Sequence, residues 1–302
     1  MRKLATSGWS LLKSTYIEFD DDNAIKLSAS LSYYTIFSLP PLLIIIMSIS
    51  GFFFGQEAVR GRFFIQINGL VGNEAALQIQ ETIKNIELSN NGVLATIFGG
   101  IMLLIGASGV FAEIQSSINF IWGLRAKPNK GLIKFIKNRL MSFSMIASVG
   151  FLLLVSLMIN TLMDVINARL VNFFPDVTVY LFYILNILIV FGTTTILFAV
   201  IFKTLPDGYI VWKDAIIGSC FTSFFFMLGK FAIGFYLGST TIASAYGAAG
   251  SIIIILIWVY YSAILLYFGA EFTKVYSRAH GKKIIPKEYA FEIKKEIFEE
   301  KT

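Results

Sequence analysis

Three ionisable side chains stand where an apolar chain tolerates few. Glu113 and Glu271 lie near the ends of long apolar runs, and Lys230 lies well inside one. An ammonium at the centre of a bilayer costs about 2.5–3.5 kcal/mol on insertion scales, so it needs a partner or a route to water. Lys230 shares a helical stripe with Ser219, Ser223 and Gly234, a small polar face that suits helix contacts or an anionic group. The alternative is a lipid-side lysine. If its helix enters near Lys213, Lys230 lies roughly 25 Å along a path of about 30 Å and can snorkel to the far headgroups.

Glu113 leads a polar run of Gln115, Ser116, Ser117 and Asn119, and Glu271 shares a stripe with Tyr260 and Tyr267. Facing inward together, the two carboxyl groups would form one polar cluster able to share a proton and couple or gate a movement. As interface carboxylates they would do nothing of the kind. A third feature is a break. Pro40-Pro41 follows Ser30, Tyr34 and Ser38, which share one helical stripe with Pro41. Within a bilayer every backbone polar group needs a protein partner, so such a break marks mutual helix support or a lined cavity. Hydroxyls bonded to their own helix carbonyls are the plainer reading.

The candidate substrate-binding residues are therefore Lys230, Ser219, Ser223, Tyr34 and Ser38. The candidate coupling or gating residues are Glu113, Glu271, Asn119, Pro40 and Pro41. Asp20-Asp21-Asp22 lacks the ligand-spaced loop of a cation site and suits a helix start or a solvated turn. Cys220 and His280 are the single representatives of their types, which leaves no disulfide within the chain and no Cys/His cage. No cofactor and no metal are expected.

The elements that must hold these residues are long and apolar. Of the 302 residues 56% are hydrophobic and 15% charged, and the mean hydropathy is +0.72. Soluble domains carry about 25% charged residues. Six stretches, 29–54, 93–111, 140–163, 179–202, 215–237 and 250–272, are each long enough to cross a bilayer. The predicted class is all-α: a polytopic membrane protein of about six transmembrane helices. Its parts are an N-terminal segment 1–28, a membrane domain 29–274 and a tail 275–302. The N-terminal segment lacks the apolar core of a signal peptide. Between the first two spans, residues 55–92 place Phe63, Ile67 and Leu70, then Ala76, Ile79, Ile83 and Ile86, at helical spacing. That pattern predicts amphipathic extracytoplasmic helices, capping the bundle or lying on the membrane surface.

Orientation follows the lysines and arginines. Arg125, Lys127, Lys130, Lys134, Lys137 and Arg139 crowd the connection after the second span, and the tail carries eight more cations from Lys274 to Lys301. Residues 164–178 hold only Arg169, and 238–249 none. Both termini are thus expected in the cytoplasm. Residues 129–139 and the tail from Pro286 to Lys301 suit solvated helices near anionic headgroups. The runs Gly99-Gly100, Gly106-Ala107-Ser108-Gly109 and Gly247-Ala248-Ala249-Gly250 suit close helix approach.

Four stretches together resemble the YihY/virulence factor BrkB family of bacterial inner-membrane proteins. They are Ala29 through Ser32-Tyr33-Tyr34-Thr35 to Pro40-Pro41; Gly106 to Phe111 running on to Asn119 and Trp122; Leu205-Pro206 with Trp212 and then Gly229-Lys230; and Tyr246-Gly247-Ala248 through Trp258-Val259-Tyr260 to Gly269-Ala270-Glu271. Each is weakly specific alone, but their order covers most of the membrane domain. The resemblance implies six helices, the bacterial cytoplasmic (inner) membrane, and transport or envelope upkeep. Members of this family have also carried the label ribonuclease BN. This sequence argues against that chemistry, having no histidine cluster, no metal-ligand spacing and no soluble domain to hold RNA.

Two functions of different classes fit. One is a transporter or flippase-like protein for an anionic or amphipathic envelope molecule, such as an anionic lipid or lipid-linked substrate, powered by a gradient or by downhill flow since no ATP-binding motif is present. The other is a non-transporting scaffold for envelope assembly or integrity, in which the glycine runs are interfaces. No enzyme is expected, because no nucleophile has a base beside it. The expected partners are membrane lipids and not nucleic acid, and a homo-oligomer is compatible with the pattern.

Overall fold

The structure is a computed structural model that describes residues 8–38, 77, 106, 109–127, 175–239 and 250–293. The expected spans 140–163 and most of 93–111, the loop 55–92, Pro40, Pro41 and the segment 129–139 lie outside the described residues.

Helix α1, Gly8–Asp21, buries Leu11, Thr15 and Phe19, one residue per turn on a single face. It ends at Asn23, whose φ of 50° lies in the left-handed region that asparagine tolerates better than most residues. Helix α2 follows at once over residues 24–38, and α3 spans residues 109–121. Three long helices complete the body: α4, Pro175–Thr204; α5, Trp212–Ser239; and α6, Gly250–Ala279. The expected spans 179–202, 215–237 and 250–272 fall inside these helices. The helices run on past the apolar stretches, α6 by seven residues, because polar turns can be helical wherever they pack. Within them, Ile184–Thr204 and Ile253–Ala279 are long and apolar enough to cross a membrane.

Helices α5 and α6 pack antiparallel through interlocking small residues. Gly218 faces Thr273, and four residues along, Thr222 faces Gly269; a Cβ on either glycine would collide with the opposing threonine hydroxyl. The same threonines donate to carbonyls of their own helices, Thr222 to Gly218 at 2.7 Å and Thr273 to Gly269 at 2.6 Å. Farther along, Gly229 leaves room for the Tyr261 hydroxyl. Phe221 stacks on Phe272 at 3.8 Å between centroids, and Phe226 meets Trp258 edge-on. On α2, Ser32 donates to the Leu256 carbonyl of α6 at 3.0 Å, and Ser38 fills the space left by Gly109 of α3.

The start of α2, the ends of α3, α4 and α6, and the start of α5 all meet at one end of the molecule, here termed the base. Two small antiparallel ladders tie it. β1, Leu124–Ala126, pairs with β4, Ala290–Glu292, and β2, Gly208–Tyr209, pairs with β3, Ile285–Pro286. Of the tail from Pro286 to Lys301, expected as a surface helix, residues 286–293 are described and enter as strand instead; the rest lies outside the described residues. Helix α6 stops at Gly281, with φ 72°, where Lys282 N–H bonds the Ser277 carbonyl and Gly281 N–H the Arg278 carbonyl. That stop turns the tail back under the base. The helical class holds, with this clasp added.

Candidate functional site

The densest polar arrangement among the described residues is at the base. Lys274, one turn before the end of α6, directs its ammonium at Glu271 Oε2 (2.8 Å), Glu18 Oε2 (3.1 Å) and Asp22 Oδ2 (3.3 Å), and donates to the Ile121 carbonyl at 2.7 Å. Arg278 bonds the other Glu18 oxygen. Glu18 and Asp22 are four residues apart at the end of α1, and Glu271, Lys274 and Arg278 form one stripe of α6, so two helix faces close on each other. Glu271 is fully buried. Its carboxyl group also faces that of Asp22. Three carboxylates converging on one point would suit a divalent cation were the centre not already held by an ammonium.

A second node surrounds Asp207, fully buried in the turn between α4 and β2. Gln115 Nε2 donates to one carboxylate oxygen at 2.9 Å and Asn119 Nδ2 to the other at 3.0 Å, while Asp207 N–H donates back to Asn119 Oδ1 at 2.7 Å. The Asp207 carbonyl accepts from Lys287 N–H of the tail at 2.8 Å. Burial, and then the Asp207 charge, push the neighbouring Tyr289 hydroxyl up to about 12, so it stays protonated in the cell. A third node pairs buried Asp214, in the first turn of α5, with Lys282 at 2.7 Å.

Two clefts open onto these nodes. One, of about 620 Å³, is lined by Gln115, Ser116, Asn119, Arg125 and Asp207. The other, of about 650 Å³, lies between α1, the turn after α3 and the end of α6, lined by Asp22, Lys274, Arg278, Lys283 and Glu292.

Of the residues expected to act, Glu271 and Asn119 are in this base, but their partners are not the expected ones. Glu271's charged neighbours are Lys274 and Asp22 rather than Glu113, which is half-buried and acts on Tyr267 one turn earlier. Ser219 and Ser223 are buried, Ser219 donating to its own helix at Ala215 (2.7 Å), and Lys230 is half-buried beside the Gly229–Tyr261 contact. Ser38 is buried against α3, whereas Tyr34 is 46% exposed, so the stripe of Ser30, Tyr34 and Ser38 is not one inward face. Neither cleft is lined by Lys230, Ser219, Ser223, Tyr34 or Ser38. Sequence reading missed Lys274, Asp207 and Glu18, and placed Asp22 in a helix start or solvated turn, whereas Asp22 sits in the turn, 5% exposed. The i,i+4 pair Glu18/Asp22 and the i,i+3 pair Glu271/Lys274 were the available signal.

A sequence profile of the family described as virulence factor BrkB matches residues 15–290. Curated relatives include a UPF0761 membrane protein of Tolumonas auensis, 26% identical over 83% of this chain and 80% of its own length. The UPF0761 membrane protein Mpe_A1422 of Methylibium petroleiphilum is 29% identical over 88% of this chain, and ACIAD3168 of Acinetobacter baylyi 26% over 88%. This chain spans 62% of the length of each of the latter two. No solved structure matches.

Proposed function

Since the chain belongs to the virulence factor BrkB family, whose curated relatives carry the name membrane protein, we propose that it is a transporter or flippase-like protein for an anionic or amphipathic envelope molecule, with the Lys274 cluster as its gate. One observation carries this reading: a fully buried glutamate in a long apolar helix, bridged by Lys274 to carboxylates of a different helix. Ionisable groups at membrane depth are costly and are kept chiefly where something passes or switches. Ion pairs can exchange partners between two discrete arrangements. The excess of Lys and Arg in the connection after the second span and in the tail argues for a base on the cytoplasmic side of the inner membrane, with both termini there.

In the closed state Lys274 holds Glu18 and Asp22 of α1 against Glu271. Opening withdraws α1 together with Glu18 and Asp22 and frees the ammonium for an anionic group, while Glu271, its cation drawn away, takes up a proton from the water that enters. Lys230 would form a second cationic station farther along α5. A scaffold is favoured by one observation, the interlocked α5–α6 seam with its threonine hydroxyls bonded to their own helices.

The test is reconstitution into liposomes containing a headgroup-labelled acidic phospholipid, scored by chemical bleaching of the outer leaflet. Wild type, Lys274→Met, Glu271→Gln and Lys230→Ala are compared. Transport predicts bleaching beyond one leaflet in wild type, faster in Lys274→Met and slower in Lys230→Ala. Native mass spectrometry of the same proteins should show an anionic lipid retained by wild type and lost in Lys230→Ala. Bleaching that stops at the outer leaflet for wild type and Lys274→Met alike, with no selective lipid retained, would sink transport in favour of the scaffold.

A further inference from the structure

Helix α1 carries two unlike faces. Leu11, Thr15, Phe19 and Glu18 turn toward α6, where Leu11 clusters with Phe272 and Val275 of α6, Ile217 and Phe221 of α5 pack against that cluster, and Phe19 meets the Phe268 ring. The opposite face presents Trp9 at 77% exposure, Tyr16 at 66% and Ile17 at 48%, with Lys13 between them. Three large apolar groups on one turn-spaced face are too many for a helix bathed in water.

The level of that face is fixed by its packing. Leu11 clusters with Phe272 and Val275 in the last turns of α6, which belongs to a segment long enough to span a bilayer, and Ile217 and Phe221 near the start of α5 pack against the same cluster. At the same end of α5 a second patch is exposed, comprising Tyr209, Val211, Trp212 and Ile216, and it continues down α5 through Phe224 and Leu228. The outward face of α1 and this exposed flank of α5 therefore lie at the same end of the spanning helices. Tryptophan and tyrosine collect where hydrocarbon meets headgroups, because their rings are apolar and their N–H or O–H needs a polar partner.

We propose that α1 is an interfacial helix lying in the headgroup layer, that its partner is the lipid surface itself, and that Trp9, Tyr16 and Trp212 belong to one aromatic belt at the base. Lys13, exposed on this face, can reach lipid phosphates, while Asp20, one turn beyond Tyr16 on the same face, and Asp21 are exposed at the far end of α1, where that face leaves the apolar groups behind. Seating α1 on the lipid also holds Glu18 and Asp22 against Lys274, so the bilayer surface becomes a part of the charged cluster. The inference concerns where α1 lies and does not require transport.

The test is spin-label accessibility of the full chain in liposomes, in a Cys220→Ser background, with single cysteines at Trp9, Tyr16 or Ile17. Monodispersity by size exclusion selects folded variants, and the three positions are independent, so loss of one leaves two. An interfacial helix gives oxygen collision above, and aqueous nickel-chelate collision several-fold below, that of the free label in buffer. High nickel collision at all three sites would put α1 in water and overturn the proposal. Low collision with both reagents would mean that protein, not lipid, covers the face, and would overturn it equally.

Discussion

The α5–α6 seam and the base are held together by opposite means. Along the seam, Gly218 against Thr273 and Gly269 against Thr222 let two backbones approach, and every hydroxyl involved bonds its own helix. At the base, Lys274, Asp207 and Asp214 bind groups far away in the chain, from Glu18, Asn119 and Lys282. Shape secures the one and charge the other. A membrane offers no hydrophobic drive between helices, so close packing must supply the attraction, whereas the base is polar enough for ion pairs to form.

The sharpest way to break this division is Lys274→Met. It strands buried Glu271 without its ammonium and should cost about 3–5 kcal/mol, read as a lower midpoint of thermal unfolding in detergent. Adding Glu271→Leu should recover part of the loss, because replacing both partners with apolar groups is far milder than removing one. Next in size is Gly269→Leu, which drives a side chain into Thr222 and should cost up to about 3 kcal/mol by overpacking. Thr222→Ala in the same chain should relieve it, and salt should not. Were salt to change that variant's midpoint, the seam would not be the purely steric contact described here.

Asn119→Leu should follow at about 2 kcal/mol, since it removes two hydrogen bonds of buried Asp207, one to a carboxylate oxygen and one from its N–H. Faster hydrogen exchange confined to residues 205–211 and 285–292 would locate the damage at the clasp; uniform exchange would deny the base its separate identity. The smallest effect belongs to Arg278→Ala. Its guanidinium is half exposed, and such a pair is worth less than about 1 kcal/mol and fades in salt.

The seam was the more legible of the two regions, and even there unevenly. The spans holding α4, α5 and α6 follow from hydropathy alone, because crossing lipid requires about twenty apolar residues in a row. Glu271 stood out as a carboxylate at the end of such a run. Its partner did not, since Lys274 reads as one more cation beyond the span, and nothing in a linear pattern brings Glu18 and Asp22 to it. Asp207 was invisible for the same reason: its two amide donors lie some ninety positions earlier, at separations of 92 and 88 residues. Residues 286–293 at the start of the tail were misread because the tail's mixed charges suit a solvated helix, and only the turn at Gly281 directs them beneath the base as strand.

The clasp has a consequence for synthesis. Strand β1 finds its partner only when β4, at residues 290–292, has been made. At ribosomal speeds that interval is on the order of ten to thirty seconds. Until then the spans can enter the bilayer one after another, but the edge at residues 124–126 lacks its partner strand and Lys287 is not yet there to meet the Asp207 carbonyl. The last-made part of the base thus acts as a fastener that is applied after the helices are in place, and a nascent chain stalled before residue 285 would carry its spans without the closure that joins them.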